Sequence, residues 1–120
     1  MSRGPPALQT LRDAIPIAQI RGRVQMAERG PESLFDFTIA ETKPVAFVRA
    51  KFTEHIRAML AEIARDYDED IRQLRLVTQD AAISCELWLR SRYGTWRFFR
   101  VTADAIVEIG RDGLPIGGNG

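Results

Sequence analysis

The sequence predicts a single α/β (α+β) domain, a mixed sheet of four to five strands flanked by helices. Three observations predict it. Segments with strand alternation and segments with helical spacing follow one another as helix, strand, strand, long helix, strand, strand. The chain has 120 residues, 45% hydrophobic and 28% charged, which suits one compact core. No internal repeat, low-complexity tract or long linker divides it.

Residues 1–6 carry a Pro-Pro pair and residues 110–120 hold five glycines and a proline, so both are expected to be flexible, with the globular domain over 7–109. Leu8, Leu11 and Ile15 mark a short helix from Ala7, which Pro16 is expected to close because it lacks a backbone donor. In Ile17–Ala27, Ile17, Ile20 and Val24 fit a helical face that Gly22 weakens, and the stretch stays ambiguous. After Gly30-Pro31, LFDFTIA reads as a strand over 34–40. VAFVRAKF reads as a second over 45–52, with Val45, Phe47 and Arg49 on one face and Ala46, Val48 and Ala50 on the other. The short connection makes them an antiparallel hairpin.

Thr53 is placed to cap one long helix over about 54–76, with Ile56, Leu60, Ile63, Tyr67, Ile71 and Leu74 as its apolar stripe. Its other face, Arg57, Glu62, Arg65, Asp66, Asp68, Glu69 and Asp70, reads as solvated. SCELWLR and WRFFRV form a hairpin around Tyr93-Gly94-Thr95, and Asp104–Ile109 is read as a further strand.

Composition narrows the function. A formal charge of +1 excludes a polycation or an acidic tail, so any nucleic-acid footprint is local. The lone Cys85 excludes an internal disulfide or a thiolate metal centre, and the single His55 excludes a histidine metal cluster. There is no apolar run of ~20 residues and no apolar leader, so the expectation is a cytoplasmic protein without a membrane. Phosphate-binding GxxxxGK[ST], GxGxxG, CxxC and HExxH patterns are absent.

Two stretches carry chemistry. The first joins FDFTIAE, with Asp36, through a turn to FVRAK, with Lys51, and then to a helix and a strand pair. Over roughly residues 34–101 this order and spacing resembles the PD-(D/E)XK nuclease superfamily, the restriction-endonuclease-like folds that include Holliday-junction resolvases. The resemblance implies that Asp36 is the first carboxylate of a magnesium site and Lys51 the lysine that orients or activates water. The second acid, expected two positions before the lysine, is here Arg49, which cannot ligate a cation. Either the acid has migrated to the following helix, with Glu54 or Glu62 as candidates and Asp36 with Glu62 as the metal pair, or the site is degenerate and does not cut. The bland reading is that Asp36 and Lys51 are ordinary strand-surface residues.

The second stretch is CELWLRSRYGTWRFFRV. It interleaves Arg90, Arg92, Arg97 and Arg100 with Trp88, Tyr93, Trp96, Phe98 and Phe99, a pattern suited to phosphates and unstacked bases, although alternation commits several of the rings to the core. The function expected is therefore a nuclease-like, degenerate domain that binds DNA or hydrolyses phosphodiesters weakly with magnesium, as a homodimer. The alternative is a non-catalytic self-association or protein-docking domain on the same scaffold.

Overall fold

The computed structural model describes residues 6–28, 33–77 and 80–116. Its elements are α1 (Pro6–Arg21), β1 (Arg23–Met26), β2 (Phe37–Ala40), β3 (Val45–Thr53), α2 (Leu60–Asp66), α3 (Asp68–Arg75), β4 (Ile83–Ser91), β5 (Trp96–Val101) and β6 (Ile106–Ile109). The strands form one sheet in chain order, β1-β2-β3-β4-β5-β6. Every pairing is antiparallel except β3 with β4, which is parallel in a register that sets Ala50 opposite Trp88 and Thr53 opposite Ser91. A parallel pair needs a crossover, and α2 and α3 supply it.

The mixed sheet and its flanking helices agree with expectation, with six strands rather than four or five. The additional one is β1, from the ambiguous stretch before Ala27. Gly22 makes it possible: a Cβ there would lie 2.2 Å from the Ala40 carbonyl oxygen, so only glycine lets the chain leave α1 this close to β2. Pro16 does not close α1, which runs on to Arg21. Pro16 is exposed, so the carbonyl it fails to bond can reach water, and the buried Ile17 and Ala18 beyond it hold the helix on the sheet.

The helix expected as one piece over 54–76 is also corrected. Thr53 ends β3 and does not cap a helix, its hydroxyl donating to the His55 carbonyl. The helical segment breaks at Tyr67 (φ −113°, ψ 27°), and Asp68, Glu69 and Asp70 open the second part, where acidic side chains suit the positive helix end. The break changes which residues are buried. Ile63, Ile71 and Leu74 are enclosed, whereas Leu60 is 40% exposed. Ile63→Ala is therefore expected to cost about 2–5 kcal/mol in chemical denaturation, and Leu60→Ala much less. Equal losses would refute this placement of α2.

Two cores sandwich the sheet. Ala14, Ile17 and Ala18 of α1 pack with Phe37, Ile39, Ala46, Val48, Trp88 and Phe98 on one face. Ile63, Ile71 and Leu74 pack with Leu87, Leu89 and Phe99 on the other. The chain changes face at Asp36: Phe35 joins the α3 side and Phe37 the α1 side. Strict alternation would have put both rings on one face. This crossing shortens the expected strand over 34–40 to Phe37–Ala40 and leaves Asp36 at the sheet's rim.

Past β6, the Gly110 amide donates to the Leu114 carbonyl and the Ile116 amide to that of Glu108, so the chain turns back onto the strand. Residues 1–5 and 117–120 of the expected flexible ends, and Thr78-Gln79 before β4, lie outside the described residues. Among the described residues no helix is long and apolar enough to cross a membrane.

Candidate active site at the carboxyl end of β3

The structure brings Asp36 and Lys51 to one cleft of about 580 Å³, lined also by Leu8, Leu11, Met26, Phe35, Arg49 and Phe52. Backbone pairing fixes the carboxylate: the Asp36 amide donates to the Val48 carbonyl (2.7 Å), and Asp36 Oδ2 accepts from the Ala50 amide (2.7 Å). Burial pushes the Asp36 carboxyl up from its ordinary value. The Ala50 hydrogen bond and the charges of Arg49 and Lys51 pull it down, and Asp70 adds to the rise.

Asp70 is the acid that meets this site, and sequence reasoning placed it on the solvated face. It lies on α3 with its side chain 16% exposed, and its Oδ1 stands 3.6 Å from Lys51 Nζ and 3.8 Å from Arg49 Nε. The signal was present: Asp70 falls three residues after Tyr67 and four before Leu74, on the same helical stripe. The two expected migrated acids are engaged elsewhere. Glu54 faces Arg92 at 3.5 Å, and Glu62 faces Arg57 at 3.6 Å while accepting from the Met59 amide. His55 is exposed in the loop after β3, not in a helical first turn.

Arg49 fills the middle of the site. Its NH1 is 3.7 Å from Asp36 Oδ1, and its NH2 donates to the Ser33 carbonyl and to Gln73 Oε1, both at 2.6 Å. The Arg49 side chain is 14% exposed. Asp36 and Asp70 against Arg49 and Lys51 leave the cluster neutral. The divalent ion that the resemblance implies does not fit these residues. At an effective dielectric of ~20, unit charges about 4 Å apart interact by about 4 kcal/mol, and a divalent ion doubles its repulsion from Arg49. Among the described residues no three His, Cys, Asp or Glu side chains are grouped to hold a metal.

The four hairpin arginines are set apart. Gly94, with φ +84°, makes the expected turn, but alternation sends Arg90 and Arg100 to the α1 side and Arg97 to the other. Arg90 pairs with Asp13 of α1 at 3.1 Å, and Arg100 donates to Ser84 Oγ and to the Gly113 carbonyl. Arg97 is forked onto Glu108 (2.7 and 2.9 Å), which raises its already high pKa, and also donates to the Arg57 and Ala58 carbonyls. Arg92 is the exposed member, 62% open at the turn. It follows Ser91, opposite Thr53, so Arg92 and Lys51 share the carboxyl end of the parallel β3–β4 pair.

A second acid escaped sequence reading as well. Glu86, in the middle of β4, is fully buried and accepts from Arg21 NH1 and NH2 (2.8 and 2.9 Å), Ser84 Oγ (2.8 Å) and Trp88 Nε1 (3.0 Å). With every donor matched and no opening to solvent, it is a joint between α1 and the sheet.

No protein-family model and no curated protein matches the chain. A solved structure does: the Holliday junction resolvase Hjc of the archaeal hyperthermophile Archaeoglobus fulgidus superposes with a TM-score of 0.57 over 91% of this chain and 95% of that one, at 16% identity. The chain therefore has the restriction-endonuclease-like fold of that resolvase, in a divergent sequence.

Proposed function

We propose that this chain is a nuclease-like domain that binds DNA without cutting it effectively, across the carboxyl end of β3 and β4. The observation that carries the reading is Arg49. It stands between Asp36 and Asp70, where a hydrolytic site on this scaffold needs a metal ion, while the fold and the cleft beside Lys51 are retained. Ligands of open α/β sheets bind outside the carboxyl ends of the strands, and Lys51 and Arg92 offer their charges there. A cytoplasmic homodimer belongs to the same reading, since pairing is the commonest way for a small chain to present two sites.

Fluorescence anisotropy with duplex and branched DNA in EDTA tests the binding. Affinity is expected to fall with salt, and Lys51→Gln with Arg92→Gln to reduce the log–log slope by roughly 1.8, about 0.9 for each phosphate no longer neutralised. No binding at low salt, or an unchanged slope, overturns the proposal. Robust cleavage in magnesium or manganese that Asp36→Ala abolishes overturns the non-cutting part. The alternative, self-association or protein docking, draws on the exposed apolar side chains of Val107, Leu114 and Ile116 on β6 and the segment returning to it.

A further inference from the structure

The oxygen atoms around Arg49 are those a hard cation would choose. Its guanidinium is surrounded by Asp36 Oδ1, Asp70 Oδ1, the Ser33 carbonyl and Gln73 Oε1. Two carboxylates, one backbone carbonyl and one amide carbonyl make a ligand set of the calcium, magnesium or manganese type, completed by water. The close hydrogen bonds, at 2.6 Å, go to the two neutral oxygens, while both carboxylates stand off at 3.7–3.8 Å. Arg49 Nε is buried without a hydrogen bond, so the carboxylates hold the guanidinium by charge more than by matched geometry. The contacts come from two places, Ser33 and Asp36 of the segment before β2 and Asp70 and Gln73 of α3, while Arg49 itself stands on β3, so the charge at the centre ties α3 to the sheet.

We infer that Arg49 is the resident cation of an oxygen-lined site formed by Asp36, Asp70, Ser33 and Gln73, and that removing its charge uncovers a divalent-cation site there. Asp36 keeps its orientation through the Ala50 amide, which does not involve Arg49. Lys51 remains beside Asp70, so the vacated site carries two acids against one cation and is net negative. The inference uses the geometry of this cluster and is independent of DNA binding. A protein that binds no DNA could still satisfy it.

The experiment compares the native protein with Arg49→Ala in EDTA and in excess manganese or calcium, by thermal unfolding and calorimetry. The native protein is expected to show no change between the two conditions. Arg49→Ala is expected to be less stable in EDTA and to gain about 100-fold in its folding equilibrium when the free ion is about 100 times its Kd. Should Arg49→Ala be unfolded in EDTA, the ion is expected to fold it, as read by circular dichroism. Adding Asp70→Asn should remove the response, whereas adding Glu62→Gln should leave it. A variant that neither binds the ion nor is stabilised by it, a response that survives Asp70→Asn, or an equal response in the native protein overturns the inference.

Discussion

Glu86→Ala is expected to destabilise the protein by about 3–5 kcal/mol, roughly a fifth or more of the stability of a typical domain. The carboxylate is fully buried and meets four donors, and the Arg21 side chain opposite it is 7% exposed. Removing the acid leaves a guanidinium in the interior with no counter-charge, and leaves Ser84 Oγ and Trp88 Nε1 without their acceptor. The size of the effect reflects the broken pair more than the worth of the intact one, and this distinction can be measured. Arg21→Met combined with Glu86→Gln removes both charges while keeping an acceptor oxygen. The double variant should lose less than the sum of the two single changes, with a coupling of about 0.5–3 kcal/mol. Urea denaturation of all four proteins completes the cycle. A loss below ~1 kcal/mol for Glu86→Ala would mean that the carboxylate reaches water, and that Arg21 does not hold the end of α1.

Glu86 also shows where sequence reading stops. In CELWLR it is a polar residue among alternating apolar ones, and the residue that explains it lies 65 positions earlier. Features written in local order were legible: β3 from its period of two, the β4–β5 hairpin from Gly94, and the approach of Asp36 to Lys51 from the short connection between β2, which Asp36 immediately precedes, and β3, which carries Lys51. Features set by distant partners were not. β1 is four residues, mostly exposed, and becomes a strand only because β2 offers an edge that Gly22 can approach. Asp70 sat in a run of acids whose apparent role was solvation, and its spacing from Tyr67 and Leu74 gained meaning only once α3 lay on the sheet beside Lys51. The departure at Arg49 was visible as a residue, but its consequence depended on Asp70, Ser33 and Gln73 converging around it.

Trp88→Ala should be the other severe change, costing about 3–5 kcal/mol. The ring is fully buried at the centre of the α1-side core, edge-on to Phe37 (5.6 Å), Trp96 (6.3 Å) and Phe98 (4.9 Å). Its truncation opens a cavity where three aromatic pairs meet, each worth roughly 0.5–1.5 kcal/mol beyond area burial, and deprives Glu86 of one donor. Trp88→Phe separates the two contributions, since it keeps an edge-on ring and loses the indole N–H; it should cost about 1–3 kcal/mol. The position matters to the cleft because Trp88 stands opposite Ala50 in the β3–β4 register and against Phe37, the residue after Asp36. The Ala50 amide and the backbone at Asp36 are the two supports of the carboxylate. In Trp88→Ala, amide hydrogen exchange at Ala50 should therefore accelerate beyond the change set by global stability, while that at Phe99, buried on the opposite face, should follow global unfolding. Exchange that rises equally at both positions would show that the aromatic core supports the fold as a whole and gives the cleft no separate rigidity.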